Sequence, residues 1–294
     1  MKSSYGYVLI VLASTIWGTM GIFGKLAFQY GIDPVTLIAF RVIISSATLL
    51  FPVVLFKREF LKVERRDLPR LLVLGLLGTA LQRITYFYAV DLTTATIAAV
   101  LFYTYPIFVV VYSPLFLKER AAPLTVFAVI LAFLGVAFVV RAYESAWFST
   151  NLVGIAFGFT CSALFALYFL LTKKLRSNYT NWTLLLYGDG IAALALTPEL
   201  LFSIPKIVNF PMQLWLLILI IVFFPSLTAY LVFSYALKHV EPSKGSVLSV
   251  VEPSTAAILS AVILGESFEP LQMMGITLAL LGIVLLFHQP KMKQ

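Results

Sequence analysis

Four charged residues stand inside stretches of the chain that are otherwise apolar: Arg41, Arg83, Asp189 and Glu252. Their types suit ligand chemistry better than a solvated surface. A guanidinium presents a planar fork of N–H donors that matches a carboxylate bidentately. A carboxylate can meet an ammonium group or take up a proton. Glu252 raises the sharpest question, because it sits beside a helix breaker in "SVLSVVEPSTAAILSAVILGE" (246–266), where an apolar segment should be most continuous. A charge at the centre of a bilayer costs at least ~2.5–3.5 kcal/mol on insertion scales, so such residues face a cavity or a partner. Two readings follow. In one, Arg83 grips the carboxylate of a small zwitterion while Glu252 meets its ammonium or carries a proton. In the other, Arg83 with Glu252, or Arg41 with Asp189, are ion pairs that hold helices together.

Aromatic residues form a second candidate set. Trp17, Tyr86, Tyr88, Tyr103, Tyr105, Tyr168 and Tyr235 could stack on an aromatic solute or hold an ammonium by cation–π attraction. Against a background of 25 Phe, 14 Tyr and 4 Trp, most aromatics must instead pack or line the membrane interface. Trp17 and Tyr105 are the preferred two: Trp17 lies among glycines, and Tyr105 occupies the place that Glu252 takes in the repeat described below. Enzyme chemistry finds no footing. No HExxH, GxSxG or GxxxxGK[ST] occurs, His239 and His288 fall at segment ends, and the single Cys161 supports neither a disulfide nor a cysteine metal cluster. No catalytic residue, metal or cofactor is expected.

The elements that must carry these residues follow from composition. With 61% hydrophobic and 12% charged residues, the chain cannot present a polar surface to water. A spanning helix needs ~20 apolar residues. Ten such stretches can be placed, near 6–28, 34–56, 68–90, 94–117, 121–140, 151–172, 181–203, 212–237, 243–264 and 268–287. These runs are continuous, unlike the alternating segments of a membrane β-barrel. The expected fold is therefore an all-α integral membrane protein with ten transmembrane helices. The first stretch starts like a signal peptide but stays apolar through Trp17 to Phe28, and reads as a retained helix.

Basic residues orient the chain, because short loops that stay in the cytoplasm collect Lys and Arg. With both termini cytoplasmic, that side receives Lys2, the six in "KREFLKVERRDLPR" (57–70), Lys118, Arg120, Lys173, Lys174, Arg176, Lys238, Lys244, Lys291 and Lys293, while the outer loops hold only Arg141 and Lys206. This distribution accounts for the net charge of +8 without nucleic acid. The 57–70 run could also touch anionic lipid. Lys25 and Lys173, near helix ends, are expected to snorkel.

Sliding the 294 residues against themselves by half the length aligns 86–140 with 233–287 without a gap. The informative identities are Tyr88/Tyr235, Pro106/Pro253, Glu119/Glu266, Pro123/Pro270 and Gly135/Gly282. With one residue inserted, the first stretch also meets the sixth, pairing Trp17 with Phe165 and Lys25 with Lys173, and Arg41 pairs with Asp189. Residues 1–145 and 146–294 thus read as two five-helix repeats. Because five is odd, the second enters the membrane from the opposite side, which makes the repeat inverted and suits alternating access around a central site.

Several segments resemble a known family. "YPIFVVVYSPLFLKER" (105–120) and "EPSTAAILSAVILGE" (252–266) look like the paired Pro-to-Glu signatures of the drug/metabolite transporter superfamily, specifically its ten-helix EamA-type exporters. "STIWGTMGIFGKL" (14–26) and "AFRVIISSATLL" (39–50) resemble its first and second helices. The resemblance implies a secondary transporter of a small metabolite, often an amino acid, in the cytoplasmic membrane. It further implies a cavity lined by spans 1, 3, 4, 6, 8 and 9, with spans 2 and 7 further out. Exporters of drugs, sugars or nucleotide derivatives, and less closely a channel or a lipid flippase, are the alternatives. The partners expected are membrane lipids, the solute and a coupling proton.

Depth and punctuation complete the reading. At ~1.5 Å per residue, Glu252 lies ~14 Å from the cytoplasmic end of its span and Arg83 ~10 Å from the outer end of its own. Arg41 shares that outer level, while Asp189 falls in the inner half. Pro106, Pro114, Pro225 and Pro253 each free a carbonyl one turn earlier, and the repeat partners Pro106 and Pro253 are the expected hinges. Glu119 and Glu266 are expected to cap the helices that follow them. Gly18, Gly21, Gly24, Gly154 and Gly158 allow close helix contact.

Overall fold

The computed structural model describes residues 2–105, 151–236 and 251–287, together with scattered positions between 107 and 138. Every regular element among them is helical. Six stretches are long and apolar enough to cross a membrane: Tyr5–Phe28, Pro34–Phe56, Arg65–Leu92, Leu152–Thr172, Asn181–Ile204 and Met212–Phe233. Shorter apolar helices follow at Ala95–Val109, Thr255–Leu264 and Pro270–Gly282. Large apolar side chains such as Phe56, Leu194, Phe202 and Val262 are mostly exposed, as a surface solvated by acyl chains requires. This is a multi-pass integral membrane protein.

The helix boundaries have local causes. The first apolar stretch is α1 (Lys2–Gly18) followed by α2 (Met20–Phe28). Gly31, at a φ of 79°, turns the chain into α3 (Pro34–Phe56). There Asp33 Oδ1 accepts from the Thr36 amide at 2.9 Å and Pro34 fills the first position, where its missing N–H costs nothing. The third stretch is α4 (Leu68–Gly75), a π-helical segment (Leu76–Leu81) and α5 (Gln82–Leu92). Thr94 caps α6 (Ala95–Phe102). Asn151 caps α7 (Leu152–Leu175), which leads to α8 (Asn181–Ile207). Then come α9 (Met212–Ile221), a second π-helical segment (Val222–Thr228) and α10 (Ala229–Ala236). The last two helices are α11 (Val251–Leu264), which Gly265 ends at a φ of 68°, and α12 (Pro270–Phe287).

The two π-helical segments occupy the same place when the halves are overlaid by half the chain length. Thr79 then falls on Ser226 and Gly78 on Pro225. In each, a hydroxyl closes the wide turn by donating to a carbonyl five residues back: Thr79 Oγ1 to Leu74 at 3.2 Å, and Ser226 Oγ to Ile221 at 2.7 Å. Sequence reading anticipates a kink at Pro225 and misses both wide turns, since neither Gly78 nor Thr79 carries a breaker signal strong enough to mark one.

Packing runs mainly between the two halves of the chain. α3 lies along α8, α5 along α7 and α1 along α10, while α11 touches both α1 and α6, and α6 also touches α7. Exchanging the halves maps α1–α10 onto α7–α5 and α1–α11 onto α7–α6. In lipid, the transfer of apolar surface from water does not drive these contacts; close backbone approach and polar bonds do. Gly18 shows the approach directly, since a Cβ there would stand 2.8 Å from the Glu252 carbonyl oxygen. Thr104 and Ser162 supply a polar bond at 2.9 Å between the end of α6 and α7, and Ser162 also donates to the Phe102 carbonyl at 3.0 Å.

Candidate functional site

Glu252 lies in the first turn of α11, held against α1 by the close fit at Gly18. Facing it, α6 ends at Phe102, and Tyr103 takes up the C-cap position. That geometry sends the Tyr103 hydroxyl onto Glu252, donating to Oε2 at 2.6 Å. Among the described residues this is the carboxylate's one hydrogen bond, and it has no cationic partner. Oε1 is neither bonded nor sealed from its surroundings. The expected Arg83–Glu252 ion pair does not form.

Arg83 is instead engaged elsewhere. Its Nη1 lies 2.7 Å from Asp189 Oδ1, a close charge contact that is off the hydrogen-bonding line, and Ser45 Oγ donates to Asp189 Oδ2 at 2.7 Å. The expected Arg41–Asp189 pair is therefore corrected too: Asp189 takes Arg83 as its partner. The depth estimate separates these residues because it counts backbone rise alone, whereas a long side chain on a helix leans back over the preceding turn. Arg41 lies near both, and its Nε donates to Ser226 Oγ at 2.7 Å, on the second π-helical segment. Two guanidinium groups thus lie within electrostatic reach of one carboxylate, and Arg83 alone contacts it.

An aromatic wall joins the two charged groups. Phe102 and Phe165 pack edge to face at 4.8 Å, Tyr105 meets Phe165 at 4.9 Å, and Tyr168 stacks on Phe165 at 5.7 Å. Tyr168 is within electrostatic reach of Arg83 and Asp189, and Tyr86 within reach of both Glu252 and Arg41. So Tyr86, Tyr103 and Tyr105 gather about Glu252, while Tyr168 stands beside Arg83 and Asp189. Trp17 stands at the edge, packed on Phe233 at 5.0 Å with its neighbour Gly18 against the Glu252 turn. Tyr88 stacks on Phe157. Tyr235 is not with them. It is half exposed and lines a separate groove of about 610 Å³ with Arg176, Tyr179, Trp182 and Tyr230.

The chain belongs to the EamA-like transporter family. The family model matches it twice, over residues 4–141 and 152–288. The EamA-like chain is similar to an uncharacterized transporter of Clostridium kluyveri, 27% identical, covering 97% of this chain and 94% of that one. It is equally similar, at 27%, to an uncharacterized transporter of Archaeoglobus fulgidus, covering 97% of each. YetK of Bacillus subtilis, also an uncharacterized transporter, is 26% identical over 96% of this chain and 86% of its own. A solved crystal structure superposes with a TM-score of 0.62 over 97% of both chains, and at 17% identity that likeness concerns the fold alone. An EamA-like transporter needs no catalytic centre, and no group of metal-ligating side chains occurs among the described residues.

One further expectation is corrected. Glu266 does not cap the helix after it: its Oε1 accepts from the Ala95 amide at 3.3 Å and its Oε2 from Thr96 Oγ1 at 3.0 Å, at the N-terminus of α6. An acid does sit on a positive helix end, but on the helix that its own span packs against; Gln272 accepts from the Glu269 amide at the start of α12 instead. Lys25 stands in the last turn of α2. Its Nζ donates to the Asp91 and Thr93 carbonyls at 2.8 and 2.9 Å, closing the C-terminal end of α5. Pro106 and Glu119 lie outside the described residues, as does the side chain of Lys173, and Pro253 falls in the first turn of α11. Sequence reading also misses Ser45 and Ser226, since hydroxyls in apolar helices carry no pattern of their own.

Proposed function

We propose that this EamA-like protein is a secondary transporter that exports a small zwitterionic metabolite, most simply an amino acid, across the cytoplasmic membrane by alternating access. The observation that carries this reading is the Tyr103–Glu252 contact. A carboxylate within the apolar spans, held by one phenol and with an open oxygen, is free to take an ammonium group or a proton; a fully paired carboxylate is not. Protonation of Glu252 supplies the coupling step, and the substrate-binding set is Trp17, Tyr86, Tyr103, Tyr105, Tyr168 and Glu252, with Arg83 beside it on Asp189 and Tyr235 outside it.

The moving parts in this reading are two inverted five-helix repeats, 1–145 and 146–294, ten transmembrane helices in all with both termini cytoplasmic, and Pro106 and Pro253 as hinges. The family model's two matches and the exchange symmetry of the helix contacts support two repeats. The aromatic wall beside Glu252 favours a second reading, export of an aromatic cationic drug, because cation–π attraction and the carboxylate would serve that solute equally well.

Counterflow in proteoliposomes tests the proposal. Internal unlabelled amino acid should accelerate uptake of the labelled compound, and Glu252→Gln should abolish the acceleration. Equal uptake with and without internal substrate would mark a pore, and unchanged counterflow in Glu252→Gln would remove the site.

A further inference from the structure

The guanidinium that sequence reading assigns to the substrate is occupied, and a second one beside it is open. Arg83 already faces a carboxylate at 2.7 Å. Arg41 uses only its Nε, on Ser226, and its two Nη atoms are neither hydrogen-bonded nor sealed from their surroundings. Ser226 cannot neutralise it: the hydroxyl passes its own proton to the Ile221 carbonyl and offers only a lone pair. The charged and titratable groups facing Arg41 are Arg83, Asp189 and Tyr86. Two cations against one anion leave a formal excess of one positive charge, in a setting where an uncompensated charge is costly. At the opposite pole Glu252 keeps an open Oε1, and the Tyr86 hydroxyl, itself open, is within electrostatic reach of both Glu252 and Arg41.

We propose that Arg41 is the residue that grips the anionic group of the solute, a carboxylate taken end-on by its two free Nη donors, while Arg83 stays with Asp189 and positions the pair. The inference rests on the zwitterion reading and adds its missing pole. It also gives Ser226 a role: fixed by the wide turn of the second π-helical segment, it holds Nε and so aims the fork. Arg41 is thereby a specificity-determining residue on a span where the family resemblance leads one to expect structural positions only.

The test uses three probes that differ in one group each: phenylalanine, 2-phenylethylamine, which lacks the carboxylate, and 3-phenylpropionate, which lacks the ammonium. Binding is read as thermal stabilisation of the full-length protein in lipid nanodiscs, for wild type, Arg41→Gln, Arg41→Lys and Glu252→Gln, with the other proteinogenic amino acids screened alongside. Arg41→Gln should weaken the carboxylate-bearing probes by roughly 10- to 100-fold, the range expected for a charged hydrogen-bonded contact, and leave 2-phenylethylamine within about twofold. Arg41→Lys, which keeps the charge without the fork, should fall between. A loss shared equally by all three probes, or none at all, overturns the proposal. Should 2-phenylethylamine alone bind wild type, the Glu252 pole stands and Arg41 falls; should 3-phenylpropionate bind and depend on Arg41 but not on Glu252, Arg41 stands and the zwitterion reading falls. A wild type that responds to no carboxylate-bearing compound removes both.

Discussion

Asp189 and Glu252 are both acids set in apolar helices, and they are treated in opposite ways. Asp189 is buried, with Oδ1 2.7 Å from a guanidinium nitrogen of Arg83 and Oδ2 accepting from Ser45, so its charge has a fixed counter-charge. Glu252 is partly exposed, accepts from Tyr103 and keeps one oxygen open. An acid with a fixed counter-charge ties helices together; one without is available to a passing cation or proton. The same contrast divides the arginines, with Arg83 spent on Asp189 and Arg41 held by a single neutral hydroxyl.

The sharpest way to break this contrast is to treat both acids alike. Asp189→Asn leaves Arg83 without its counter-charge and should destabilise the protein by about 3–5 kcal/mol, seen as a lowered unfolding midpoint, whereas Arg83→Met with Asp189→Leu should recover most of that loss. A single variant as stable as wild type would mean that the pair holds nothing. Glu252→Gln should move the same midpoint by less than about 1 kcal/mol, because no charge partner is stranded. Between these two lies Gly18→Ala, which drives a methyl into the Glu252 turn and should cost about 1–3 kcal/mol. It should also slow counterflow, since it shifts the backbone that carries the free acid. The smallest effect belongs to Lys25→Met, which uncaps α5 far from either acid and should cost about 0.3–1 kcal/mol with transport rates preserved.

What the chain discloses about itself divides along physical lines. Apolar runs, punctuation and loop charge depend on neighbours in sequence, so the spans beginning near Pro34, Leu152 and Asn181 are legible from composition alone. Partners across helices depend on rotation about each axis and on side-chain reach, and neither is written locally. Arg83 and Asp189 are read as belonging to different levels because a residue count locates Cα atoms, while the guanidinium travels further. Glu266 is read as a cap, and is one, but the helix it caps lies across the bundle, beyond any local pattern. The gathering of Tyr86, Tyr103 and Tyr105 near Glu252, and of Tyr168 near Arg83, follows once their spans are known to surround one space. Tyr235 shares the repeat position of Tyr88 and still points into another groove, since matching positions in two repeats need not share an environment.

The wide turns at Leu76–Leu81 and Val222–Thr228 also absorb phase. One extra residue in a helix rotates everything beyond it by about 100°. A π-helical turn takes up that residue in a wider loop, so α5 continues the face that α4 sets and Arg83 meets Asp189. Adding a single residue just before Arg83, beyond the wide turn that could absorb it, would leave both helices and every sequence motif in place, yet it would swing Arg83 off its partner and Tyr86 away from Glu252. Spacing between motifs in this chain is thus a setting of angle as well as of length.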